Sequence, residues 1–431
     1  MSSLSAFKGL RGFVILKLKS LTLFMRVAQA VFGVFHHFEL ARELERRGHL
    51  DRVYSTWPWS RLQREGLPRD KVKTFPWLHL PQIALQRSPF DLPVLDDHLG
   101  YANALTFDRW TDRQFERNLR RGEPSPDVLI AISGAGLLTG RNLQERGGIF
   151  VCDRGSTHQR YQENIVAEEY RRWGVERQVS DERDTMREEA IYAQADAITV
   201  PSSMAARSFV EMGVPAAKVH TIPYGVRLEN FHPVGEPPQG ELRVLFAGAV
   251  GLRKGIPYLL QAFSELRHPS KRLLIAGQMQ EDLRSVLPKC PQENVEFLGA
   301  VPQPRLVELM STSHVLVLPS IEEGLALVQA QALACGCPVI CSTNTGGEDL
   351  FSDGVEGFIV PIRDSGAIAA RLQQLADDPL LQARMRAAAL ARVQAIGGWT
   401  QYGDRWEPLL RDLLASSRSG RAAASDKMHN L

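Results

Sequence analysis

Short apolar runs alternate with longer amphipathic stretches through most of the chain, a rhythm that predicts parallel strands joined by crossover helices. Residues 27–31 read as a first buried strand and 35–47 as its helix, closed by Gly48 with arginines in the last turn. Residues 52–55, 128–132, 149–152, 197–200 and 219–222 follow as short strands, with helical patterns at 181–195 and 204–212. Residues 57–125, rich in Pro, Trp and charge, interrupt the rhythm and read as variable loops and helices.

Pro and Gly cluster between 233 and 240, and the alternation then restarts. Residues 242–247, 272–276, 295–298, 314–318, 339–341 and 358–360 are strand candidates of a second sheet. The pattern predicts an α/β protein of two Rossmann-like domains facing across a cleft, at residues 25–236 and 237–396. Ligands of such sheets bind beyond the carboxyl ends of the strands. Residues 416–431, polar and rich in small side chains, read as a disordered tail.

Length and composition agree with two domains: 431 residues, 44% hydrophobic and 23% charged. A net charge of +2 gives no case for nucleic acid. Five cysteines without metal-like spacing predict a reduced, cytoplasmic protein, with Cys335 and Cys337 in small-residue packing. No apolar run is long enough to span a bilayer. Residues 1–24 form an N-terminal extension, read either as the product of an upstream start or as an amphipathic surface anchor. Arg109, Arg113, Arg117, Arg120 and Arg121 fall near helical spacing among Asp108, Asp112 and Glu116, which predicts a solvated, salt-bridged face.

Chemistry concentrates where strands end. Pro319-Ser320-Ile321-Glu322-Glu323-Gly324-Leu325 follows the strand candidate at 314–318, and a small-residue helix leads to Ala334-Cys335-Gly336-Cys337-Pro338. Glu323 and Gln331, eight positions apart, can both face one hydroxyl-rich ligand. Glu322 reads as the carboxylate that caps the helix. Gly248-Ala249-Val250-Gly251-Leu252-Arg253-Lys254-Gly255 joins a strand to a helix, with glycines for close phosphate approach and two cations for a diphosphate. Gly346 and Gly347 open a second such turn. In the first half, Gly33 leads into His36-His37, adjacent residues whose directions on a helix forbid their sharing a metal. Cys152-Asp153-Arg154-Gly155-Ser156-Thr157-His158 makes a polar turn after a strand, with His158 as a candidate for the sugar or a structural histidine.

The Pro-Ser, Glu-Gly and Ala-Cys-Gly-x-Pro-Val-Ile order resembles the donor-site signature of retaining GT-B glycosyltransferases, most closely glycosyltransferase family 4, the group 1 glycosyltransferases. The resemblance implies that Glu323 holds the donor sugar with Gly324 and Leu325 beside it, and that Gln331 holds the ribose. It further implies that Gly33, Gly248, Gly346, Gly347, Arg253 and Lys254 serve the donor phosphates, and that a final helix at 397–415 returns to the first domain. The chain departs from the family at Gln331, where a second glutamate is usual, at Ala249, where an arginine is common, and at Gly33, where a glycine pair is usual. The implied activity is metal-independent, retaining transfer from a nucleotide-diphosphate sugar to a glycan, lipid-linked glycan or small molecule, with no other cofactor. A lipid-linked acceptor would bring peripheral contact with the inner face of the plasma membrane. The alternatives are a sugar-nucleotide-binding protein with weak or no turnover, a sugar-nucleotide epimerase of the same fold, and a nicotinamide oxidoreductase, whose glycine spacing is absent here.

Overall fold

The computed structural model describes residues 24–77, 79–86, 93–176 and 182–429, so most of the N-terminal extension lies outside the described residues. Seven strands form the first sheet: β1 (Val27–Val31), β2 (Leu50–Ser55), β3 (Val72–Thr74), β4 (Val128–Ile132), β5 (Ile149–Asp153), β6 (Ala197–Val200) and β7 (Val219–Thr221). Their spatial order is β3-β2-β1-β4-β5-β6-β7. The second sheet holds β8 (Leu242–Ala247), β9 (Lys271–Ala276), β10 (Val295–Gly299), β11 (Val315–Leu318), β12 (Val339–Ser342) and β13 (Gly357–Val360), in the order β10-β9-β8-β11-β12-β13. Adjacent strands are parallel throughout both sheets. Helices cover both faces of such sheets, so the central strands are nearly continuous apolar runs, and their sequence boundaries are correspondingly sharp.

Five helices frame the cleft and the return to the first domain: α1 (His36–Arg46), α2 (Gln159–Trp173), α3 (Ile256–Glu265), α4 (Leu327–Ala334) and α5 (Trp399–His429). The irregular stretch 57–125 holds the edge strand β3 and a helix at Pro93–Arg120. Its acids do not form the expected solvated face with their own arginines. Asp108 is buried and takes Arg187 at 2.6 Å, and Glu116 takes Arg146 at 2.7 Å, both from neighbouring helices.

After the irregular segment at 231–241, the chain enters the second sheet, and α5 returns to pack on α1. Val226 N–H donates to Gly397 O at 3.2 Å. Arg47 donates to Asp404 at 2.7 Å and to Glu407 at 3.0 Å, while Tyr402 and Trp406 are buried. The helix continues to His429, beyond 415, where composition predicts a disordered tail. Residues 421–429 contain three consecutive alanines and no Gly or Pro, a composition that propagates a helix already nucleated. All five cysteines are free, and Cys335 and Cys337 are buried beside the end of α4. Among the described residues no helix is long and apolar enough to cross a membrane.

Candidate active site

Residues just past β1, β4, β5 and β7 face residues just past β8 and β11 across a cleft of about 1800 Å³. At its floor the Lys254 ammonium is paired with the Glu323 carboxylate, and the Arg253 guanidinium lies 3.7 Å from the same carboxylate. Local sequence explains the meeting. Gly255 has φ +70, and a Cβ there would stand 2.0 Å from Pro319 O, so glycine lets the turn after β8 press against the turn after β11. Pro257 in the first turn of α3 then starts the helix. Ser320 Oγ donates to Glu323 at 3.2 Å. Burial lowers the Lys254 pKa below its ordinary value, and the Glu323 charge opposes that shift. Gly248, Leu325 and Gln331 line the same cleft. A wall that offers the Glu323 carboxylate, the Lys254 ammonium and the Gln331 amide, with the Arg253 guanidinium beside them, can hold sugar hydroxyls and a diphosphate side by side.

Two buried carboxylates bind the domains together beside this floor. Glu322, expected as a helix cap, is fully buried: Ser156 Oγ and Thr157 Oγ1 each donate to it at 2.7 Å, Gln162 Nε2 at 3.0 Å and Arg253 Nη1 at 3.3 Å. Glu169, on α2, accepts from Tyr258 Oη at 2.8 Å and Arg363 Nε at 2.6 Å on the opposite domain. One anion from each domain is thus solvated by the other. Nothing in the Glu322-Glu323 doublet tells which member is buried, and no motif surrounds Glu169.

Other expected site residues serve this seam. A Cβ on Gly324 would lie 2.1 Å from Gly155 O, so Gly324 is where the two backbones touch. Gly346 packs on Leu325 and Ser202, Gly347 on Cys341 and Gln329, and neither reaches the cleft wall. Their loop is drawn to the first domain by Asp349, which accepts from Ser203 N–H at 2.7 Å and Ser203 Oγ at 2.6 Å. Gly33 lies beside the lining residues Val34 and Phe35, under the Phe35 ring. His158 is buried outside the cleft lining: it caps α2 by accepting Arg160 N–H at Nδ1, 3.2 Å away, and packs against Tyr192 and Phe209. Burial pushes its pKa down to about 4.

The histidine in the cleft is His36 instead, with His37 beside it. Their rings lie 3.9 Å apart at the start of α1, and both Nε2 atoms approach Asp153 Oδ2, at 3.0 and 3.2 Å. The expectation that adjacent histidines must diverge fails because a first helical turn, unlike a helix interior, leaves room for both rings to swing toward β5. Burial and the neighbouring His36 push the His37 pKa down to about 4. Burial opposes ionisation of Asp153, yet the two imidazoles hold its pKa well below the usual carboxylate range. Strand order β1-β4-β5 carries the signal that was available, since it brings both loops to one sheet end.

Comparison with known proteins agrees with this architecture. Residues 34–230 match the Glycosyltransferase Family 4 model and residues 229–392 match that of the Glycosyl transferases group 1. The chain belongs to this family of glycosyltransferases. It is 29% identical over 255 residues to D-inositol 3-phosphate glycosyltransferase 1 of Catenulispora acidiphila, covering 54% of this chain and 60% of that one. It is 30% identical over 170 residues to a GDP-mannose-dependent phosphatidylinositol monomannoside mannosyltransferase of Corynebacterium glutamicum, covering 37% and 44%. The chain therefore spans only part of the length of the inositol-phosphate relatives it matches, from 37% to 60%. Among solved structures, sucrose-phosphate synthase of Thermosynechococcus elongatus superposes with TM-score 0.64 at 22% identity, over 91% of this chain and all of that one. Anabaena HepE in complex with UDP-glucose gives TM-score 0.61 at 14% identity, over 91% and 100%. These likenesses establish the GT-B fold.

Proposed function

We propose that the protein transfers a sugar from a nucleotide-diphosphate donor to an acceptor hydroxyl, with retention of anomeric configuration. The observation that carries the reading is the Lys254–Glu323 ion pair on the wall of an interdomain cleft that Gln331 also lines, with the Arg253 guanidinium 3.7 Å from the same carboxylate. Donor diphosphate would take Lys254 and Arg253, releasing Glu323 to accept hydrogen bonds from sugar hydroxyls, with Gln331 at the ribose. The anomeric C–O bond to the diphosphate breaks, and the acceptor oxygen bonds to the same carbon on the same face. Its proton passes to the departing phosphate oxygen. The fixed cations stabilise the charge that develops on the leaving group, so the reading requires no metal for that step. Names of relatives support a sugar nucleotide as donor and a phosphorylated or lipid-linked polyol among the acceptors to be tried. A cytoplasmic site of action, with peripheral membrane contact for a lipid-linked acceptor, belongs to the same reading.

The test is a thermal-shift screen of UDP-, GDP- and ADP-sugars, followed by transfer assays with the stabilising donor and assignment of the product anomer by NMR. Stabilisation by one donor and an axial-to-axial or equatorial-to-equatorial product support the reading. Inversion refutes the retaining mechanism, and absence of donor binding refutes the whole proposal.

A further inference from the structure

The transfer reading assigns no role to the His36, His37 and Asp153 cluster. We propose that these three side chains bind one divalent transition-metal ion of the zinc type at the cleft wall. Their ligand atoms lie within 4.8 Å of one another, and the two Nε2 atoms stand 3.0 and 3.2 Å from one carboxylate oxygen. Neighbouring ligands on a tetrahedral ion, with bonds of about 2.0–2.2 Å, are separated by about 3.4 Å, so a small adjustment admits the ion.

Three further observations separate this cluster from a plain Asp–His hydrogen bond. His37 Nε2 is buried and makes no well-formed hydrogen bond, although it stands 3.2 Å from Asp153 Oδ2. Asp153 Oδ1 accepts from Thr199 Oγ1 at 2.9 Å, which fixes the carboxylate so that Oδ2 faces both imidazoles. The His36 ring is held by stacking on Tyr224, 4.4 Å between centroids. Two imidazole nitrogens and one carboxylate oxygen favour zinc, cobalt or nickel over magnesium or calcium.

Three protein ligands leave a fourth position, and both histidines line the cleft, so water or a substrate oxygen completes the shell. The role of a substrate oxygen there rests on the transfer reading, whereas metal uptake does not.

The experiment uses the full chain, stripped with a chelator and titrated with Zn²⁺ by calorimetry and with Co²⁺ by visible absorption, without sugar nucleotide. One ion per chain is expected, with tetrahedral Co²⁺ bands. His37→Gln and Asp153→Asn should weaken uptake by about 100-fold or more, and Thr199→Val by about 10-fold. His36→Gln, at the cleft edge, gives the same readout should the buried variants fail to fold. No saturable uptake, or equal uptake in every folded variant, overturns the site. Donor binding measured on the stripped protein reports separately on the transfer reading.

Discussion

Lys254 and Glu323, 69 positions apart, form an ion pair that joins the turn after β8 to the turn after β11. A cation and an anion that neutralise each other in the free protein can be drawn apart by a ligand carrying both a diphosphate and hydroxyl groups. Each partner then exchanges one charge-assisted contact for another, and little is lost on binding.

Lys254→Ala and Glu323→Gln should each lower kcat/KM for the donor by about 10–100-fold, the size of one charge-assisted hydrogen bond of about 1.5–3 kcal/mol. Steady-state kinetics with the identified donor measure this, and circular dichroism checks that both variants remain folded. Wild-type kcat/KM in both would remove the cleft floor from the mechanism.

Gln331→Glu should tighten donor binding by about 1 kcal/mol, roughly fivefold, if the side chain meets ribose hydroxyls, because a carboxylate accepts more strongly than an amide. Isothermal titration with the nucleoside diphosphate alone isolates the effect. Unchanged affinity would place residue 331 on a wall that the ribose does not touch.

Removing the carboxylate of Glu322 strands Arg253 and three polar groups of the first domain. Glu322→Ala should cost about 3–5 kcal/mol, the penalty for breaking a buried charged pair. Denaturant unfolding measures it. A variant as stable as the parent would show that the seam is not held by this anion.

Gly324→Ala forces a methyl group against Gly155 O, where the domains meet. The expected outcome is a parted cleft, read as a larger radius of gyration by small-angle scattering and a weakened donor affinity. Stability within either domain should change little, since the clash lies between them.

Acid stability depends in part on His158. Its imidazole takes a proton near 6.5 in the unfolded chain but only near 4 in the folded one, because burial disfavours the charge. The unfolded state therefore binds the proton first as pH falls, and stability drops between those values by at most about 3 kcal/mol. His158→Asn keeps a cap acceptor for α2 and removes the titration, so its melting temperature should fall less steeply from pH 6.5 to 4. Parallel curves for the two proteins would exclude the residue as the source.

How much could be read in advance depended on where the information resides. Strands β1, β4, β6 and β8 were legible because parallel strands covered on both faces are written as apolar runs. Strand β3 was not: it has three residues at an edge, with Lys73 in its middle, and carries no such run. That Lys254 and Glu323 come together in one cleft was legible because each sits in a turn whose glycines mark it. For His158 the sequence left a ligand and a structural histidine open, since a cap and a ligand call for the same residue after a strand; the structure places it as the cap of α2. Gly346 and Gly347 were ambiguous for a related reason: a tight turn serves packing against Ser202 as well as it would serve a phosphate. Glu322 and Glu169 stayed hidden because their partners come from the opposite domain, a relation between distant loops that no local spacing encodes.

The chain passes between the two lobes twice, at 231–241 and near 397, and the backbone hydrogen bond from Val226 to Gly397 ties the approaches to these passages side by side. Two neighbouring stretches of backbone would therefore oppose sliding of one lobe past the other more than rotation about them. Glu322 with Ser156 and Thr157, and Asp349 with Ser203, are the side-chain contacts that any parting of the lobes would have to break. The pace at which the molecule gapes and shuts is thereby written in a few side chains remote from the pivot.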